Sequence, residues 1–209
     1  MKNLVKKISV LAAAVAVMYS GFLPQTAKAQ TAYKVIAGAE TSIKVLGSSN
    51  VHDWTETTNV IDSKGNFKFN GSTLESLSSF SFSVPVKSLK SEHSSMNDRT
   101  YKALNADKYP EVTFRLRSAD VTATQKDKYL IKATGDLTIS GASQTVVLNV
   151  TATVNADNTI TCSGTQKIKL TDFKITPPSF LLGAMKVAND LTIQYNMTYK
   201  NDQLISKTN

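Results

Sequence analysis

Among its 209 residues the chain has one cysteine and two histidines. A lone cysteine, Cys162, excludes an internal disulfide framework and every metal site built on paired cysteines. It shares strand parity with Ile160 and reads as a small buried hydrophobe. A zinc site takes three or four ligands, and His52 and His93 could recruit only Asp53 or Asp98 at no diagnostic spacing. No glycine-rich phosphate loop and no GxSxG turn occurs, which removes the usual signatures of nucleotide binding and serine hydrolysis. After residue 30 no run is long and apolar enough to cross a bilayer as a helix. Basic charge is also scarcer than it looks. Lys and Arg total 24 against 16 acids, but Lys2, Lys6, Lys7 and Lys28 fall in the first 29 residues, which hold no acid. Without that segment 20 basic residues face the same 16 acids, and Arg115, Arg117, Lys167 and Lys169 alternate along strands instead of clustering. Nucleic acid is therefore not an expected partner.

The N-terminus has the form of an export signal. Lys2, Lys6 and Lys7 precede an apolar run from Ile8 to Met18, and Ala27-Lys28-Ala29 offers small residues where a signal peptidase needs them. The expected organisation is a signal peptide over 1–29, one domain over 30–200 and a polar tail over 201–209. No cysteine follows the run to carry a lipid. The remaining chain is expected to be periplasmic or secreted, without stable membrane insertion. With 41% hydrophobic and 19% charged residues, it has enough apolar material for a sizeable core.

Strict alternation dominates the rest. Phe80, Phe82, Val84 and Val86 alternate mostly with serines; Val112, Phe114 and Leu116 alternate with Thr113, Arg115 and Arg117. Leu137 and Ile139, then Val146 to Val154, then Ile168 and Leu170, then Leu191 to Tyr199 repeat the pattern. A period of two with a polar outer phase means half-buried antiparallel strands. Turn residues punctuate them at Ser63–Asn66, Asn70–Ser72, Gly141–Ser143 and Asn155–Asn158. The count is roughly eight to ten strands, which fits an all-β sandwich or barrel. One stretch, Ser94 to Asn105, reads instead as a short helix, with a serine cap and Asp98 in its first turn. Met96, Thr100, Ala103 and Leu104 share one face of it.

Two readings of a polar site compete. His52 and Asp53 could serve a secreted hydrolase acting on a glycan or ester, with Trp54 as an aromatic platform. Glycan cleavage usually needs two carboxylates across one bond, and only one is placed here. The plainer alternative has the His52 ring bonding a backbone carbonyl at a strand end, and Trp54 plugging one end of the core. The Asn149-Val150-Thr151 sequon falls in mid-strand, which marks the match as accidental.

Three segments in order resemble the YceI-like family of exported lipid- and polyisoprenoid-binding proteins. They are Met96–Leu104 running into Asp107-Lys108-Tyr109-Pro110-Glu111-Val112-Thr113-Phe114, then Gly135–Gln144, then Thr171-Asp172-Phe173-Lys174-Ile175 with Pro177-Pro178 and the strand from Leu191. Together they span roughly residues 33–199. Leu170 stands where arginine is common in the family, and Lys174 where glycine is common. The resemblance implies an all-β, eight-stranded antiparallel barrel of lipocalin-like form, with a short helix near residues 95–105. It implies carriage or sequestration of an amphiphilic lipid, an isoprenoid or isoprenoid quinone, with no catalytic residue, no metal and no cofactor beyond that lipid. It also implies a homodimer. A filled barrel serving protein interaction or stress protection is the remaining alternative.

On that reading the lumen is lined by residues on the apolar phase of each strand. The candidates are Phe80, Phe82, Val84, Phe114, Leu116, Leu137, Ile139, Leu148, Val150, Phe173, Ile193 and Tyr195, some of which only fill the core. His52, Trp54, Asn97, Arg99 and Lys186 are the candidates for the mouth and the head group. Arg99 is suited either to a phosphate or to a neighbouring carboxylate.

Overall fold

The computed structural model describes residues 31–38 and 40–205. The expected signal peptide over 1–29 and the last residues of the expected tail lie outside them. The strands are β1 (Thr31–Val35), β2 (Ser42–Ser48), β3 (Asp53–Thr58), β4 (Asp62–Asn70), β5 (Thr73–Pro85) and β6 (Glu111–Gln125). They continue as β7 (Lys128–Ile139), β8 (Ala142–Val154), β9 (Ile160–Lys169), β10 (Ser179–Phe180), β11 (Met185–Lys186) and β12 (Asp190–Asn201). A helix, α1, spans Ser94–Ala103, and a single helical turn, α2, spans Asp202–Ile205.

Neighbouring strands pair antiparallel in the order β1-β4-β5-β6-β7-β8-β9-β12, and β12 returns to β1. The sheet is thus closed. β1 pairs with the end of β12 (Val35 opposite Tyr199) and β2 with its beginning (Thr192 opposite Leu46), so β1 and β2 are two halves of one stave. β4 pairs with β1 and β3 with β2, which makes β3 and β4 a second divided stave. The result is an eight-stranded antiparallel barrel. Closure removes the exposed strand edges that an open sheet would carry. Periodicity left sandwich and barrel open; pairing of β12 with β1 decides for the barrel.

Departures from strict alternation have local causes. β5 carries Leu74, Leu77, Phe80 and Phe82 against the interior at uneven spacing. Ser79 has φ 51°, and the register jumps from Lys64–Ser81 to Asn66–Ser78, so a bulge resets the phase between Leu77 and Phe80. The Ser63–Asn66 segment, expected as a turn, lies inside β4 opposite this bulge. Ser63 points inward, and its Oγ meets the Tyr199 hydroxyl at 2.9 Å. The β7–β8 turn has positive φ at both Ser140 (49°) and Gly141 (77°), the primed hairpin geometry that matches strand twist. A Cβ at Gly141 would also overlap the Tyr109 ring.

The helix differs from expectation at its start. His93 is the N-cap, no side chain caps it, and no acid lies in the first turn. The polar work is done by Asn97, whose Oδ1 accepts from Ser91 N at 2.7 Å and Ser91 Oγ at 3.0 Å. Asp98 therefore falls beyond the first turn. The far end of α1 is tied to the barrel by Ser140 Oγ, which donates to Leu104 O at 2.8 Å. Among the described residues no helix is long and apolar enough to cross a membrane.

The two ends of the barrel are built differently. At the end of the β4–β5 and β6–β7 hairpins, Tyr33, Leu74, Tyr129 and Ile160 are buried and fill the interior. Above them an aromatic layer follows. Tyr33 lies edge-on to Phe67 (5.3 Å), Phe67 meets Tyr199 (5.8 Å), and Tyr199 meets Phe80 (5.9 Å). The opposite end carries α1 and the β10–β11 hairpin. That hairpin is sewn to the β2–β3 loop by Asn50, which donates to Ala184 O (2.8 Å) and accepts from Lys186 N (2.7 Å).

Candidate ligand-binding site

Between the aromatic layer and α1 the barrel encloses a cavity of about 400 Å3, inside the size range of small-molecule pockets. Its floor is Phe67, Phe80 and Tyr199, and its wall is mostly carbon from β2, β3, β5, β7, β8, β9 and β12. Met96, Arg99, Thr100 and Ala103 border it from α1, Leu104 from the cap that follows, and Pro178, Phe180, Met185 and Val187 from the hairpin region. The shared face read for the helix is the face turned to the cavity.

Ten of the expected lumen residues border this space: Phe80, Phe82, Val84, Leu137, Ile139, Leu148, Val150, Phe173, Ile193 and Tyr195. Phe114 and Leu116 do not. Phe114 is fully buried behind the wall, stacked on Phe82 at 5.5 Å and edge-on to Phe80 at 6.2 Å. Leu116 sits where β6 bulges against β7 and the register passes from Leu116–Gly135 to Ser118–Thr134.

Three of the expected mouth residues, His52, Trp54 and Arg99, border the cavity. The Trp54 indole lies across Gly47 of the adjoining strand, where any Cβ would collide with the ring. This is why a glycine interrupts β2 at that register. Trp54 is thus part of the wall and not a plug. Among the described residues no carboxylate pairs with Arg99. Its guanidinium stacks over Phe180 at 4.5 Å, and Nη1 lies 4.0 Å from Met185 Sδ, so it bridges α1 to the hairpin across the mouth. Asn97 is engaged by Ser91 and stands off the cavity, and Lys186 is exposed.

The His52 ring bonds the backbone carbonyl of Asp53 at 2.8 Å, and the Asp53 side chain is exposed on the outer phase of β3. The two side chains do not converge as a hydrolase would need. No group of three metal-ligating side chains occurs among the described residues.

Burial governs the chemistry of the interior. The Cys162 thiol is buried and pushed up to about 12, which keeps it protonated and inert. Burial likewise raises the Tyr195 phenol to about 12 and holds Tyr199 above its ordinary value. One acid shares this environment. Glu56 on β3 is 1% exposed and borders the cavity. Loss of water raises its pKa, and a hydrogen bond from Thr100 Oγ1, 2.6 Å from Oε1, offsets part of that rise. Neither Glu56 nor Thr100 was expected at the site. The available signal was parity: Glu56 lies between Trp54 and Thr58 on the phase of β3 that faces inward.

A closed, lipocalin-like antiparallel barrel with an apolar internal cavity and a partly covered mouth belongs to the class of small-ligand-binding barrels. The match to the YceI-like domain extends over residues 33–199, and the chain belongs to that family. The fold is similar to that of BcnA from Burkholderia cenocepacia (22% identity, TM-score 0.62, 78% of this chain and 98% of that one). It is also similar to a polyisoprenoid binding domain from Saccharophagus degradans implicated in plant cell wall breakdown (13% identity, TM-score 0.61, 82% of this chain and 99% of that one). No curated protein matches the sequence.

Proposed function

We propose that the chain is an exported carrier that holds an amphiphilic lipid, of isoprenoid type, by its apolar tail inside the barrel. The observation that carries this reading is the cavity of about 400 Å3, walled mostly by carbon, floored by aromatic rings and open at the mouth. Burial of apolar surface yields roughly 25 cal/mol per Å2, so a few hundred Å2 of tail contributes on the order of 5–10 kcal/mol before ordering costs. Useful affinity then needs no catalytic residue. The binding of polyisoprenoid by a similarly folded domain supports the class of ligand, and the N-terminal signal pattern supports export.

The ten wall residues named above take the tail, and His52, Trp54 and Arg99 stand at the mouth. Native mass spectrometry of the protein purified from its own host, with organic extraction of what it carries, tests this. The expected result is one apolar-tailed molecule per chain. Protein that is empty as isolated and stays empty after incubation with isoprenoid quinones and polyprenyl phosphates would overturn the reading.

A further inference from the structure

Glu56 breaks the pattern of the lumen. It is 1% exposed and lies opposite Val45 in the β2–β3 register. The other ionisable side chains that border the cavity from the mouth, His52, His93 and Arg99, are exposed. Thr100 donates a hydrogen bond to the Glu56 carboxyl, and no ion pair to it occurs among the described residues. A buried carboxyl left ionised and unpaired is costly, and an apolar residue of similar size would serve stability at least as well. Thr100 satisfies one oxygen. The carboxyl borders the cavity, within reach of a ligand's head group.

We propose that Glu56 and Thr100 form a head-group subsite that selects amphiphiles ending in an uncharged hydroxyl over those ending in a phosphate. The inference rests on the carrier reading above and refines it. A hydroxyl both donates and accepts, so it complements this carboxyl whether or not the carboxyl holds its proton. An ether only accepts and fits one of those two states. An ionised phosphate would meet a desolvated acid as a like charge. The cation nearest the mouth on α1, Arg99, is already stacked on Phe180 and directed to Met185.

The chain has a single tryptophan, and Trp54 borders the same cavity, so its emission reports binding directly. Geranylgeraniol, its methyl ether and its monophosphate share one tail and differ only in the head. Titrated into the full mature protein, the alcohol should bind about tenfold more tightly than either of the others, the scale of one net hydrogen bond to a buried polar group. Glu56→Leu should weaken the alcohol about five- to tenfold and leave the ether unchanged or tighter. Glu56→Gln keeps a carbonyl for Thr100 and turns amide N–H to the cavity, from which ether and alcohol accept alike, so it should close the gap between those two. It also covers the case in which the leucine variant fails to fold. Equal binding of alcohol and ether to the wild type, or tightest binding of the phosphate, would overturn the subsite and leave the carrier reading standing. Failure of all three probes to bind would overturn both.

Discussion

At the floor of the barrel and beneath its mouth the same alternating strands turn apolar residues inward, yet one end is solid and the other hollow. β12 runs through both. Tyr199 near its end is fully buried against Phe67 and Phe80, whereas Ile193 nearer its start is half-buried and borders open space. The difference lies in residue size and in what covers each end. Aromatic rings facing one another from β1, β4, β5, β7 and β12 close the cross-section at the floor. Under α1 the wall residues are mostly aliphatic, and the helix with the β10–β11 hairpin arches over them without filling the gap. An inward phase therefore defines a barrel interior, and the distribution of rings along it defines where that interior is empty.

Substitutions at the two ends should separate them. Phe67→Ala removes a ring at the centre of the floor and should cost about 3–5 kcal/mol in denaturant unfolding. Gly47→Val drives a side chain into the Trp54 indole, and overpacking of this kind should cost about 1–3 kcal/mol. It should also shift Trp54 emission before any ligand is added. Ile193→Ala enlarges a space already present, so mainly the transfer cost applies, about 1–2 kcal/mol, and ligand affinity should fall with it.

A smaller test is pH. Glu56 has a raised pKa in the folded protein, so between the ordinary carboxyl range and that raised value the native state binds more protons than the unfolded one. Stability should then fall as pH rises through that window, and Glu56→Gln should remove this part of the slope in thermal melts. An identical slope in wild type and variant would contradict the burial argument. The smallest expected change is Lys174→Gly. Lys174 holds φ 60° after the short helical turn ending at Phe173, and glycine there should raise stability by about 0.5–1 kcal/mol through relief of left-handed strain.

The strands of the barrel were legible in the sequence because they alternate, and alternation is a local property. The barrel's closure was not, since pairing β12 with β1 joins residues at the two ends of the domain; resemblance supplied that step. Phe114 shows the limit for the site. It lies on the right phase of its strand but is screened from the cavity by Phe80 and Phe82, a matter of depth that period does not encode. Glu56 shows the converse, a polar residue on an inward phase, legible by parity once β3 is known to be a strand. Lys174, where the resemblance led glycine to be expected, has the left-handed backbone that favours glycine.

The central claim is that the cavity accepts an apolar tail. Its most direct test is titration of an isoprenoid quinone against Trp54 emission, in the wild type and in a variant whose lumen is filled by Leu148→Phe and Ile193→Phe. The account predicts saturable quenching at one molecule per chain, lost in the filled variant while its fold persists by circular dichroism. Quenching that never saturates, or that survives filling of the lumen, would contradict it.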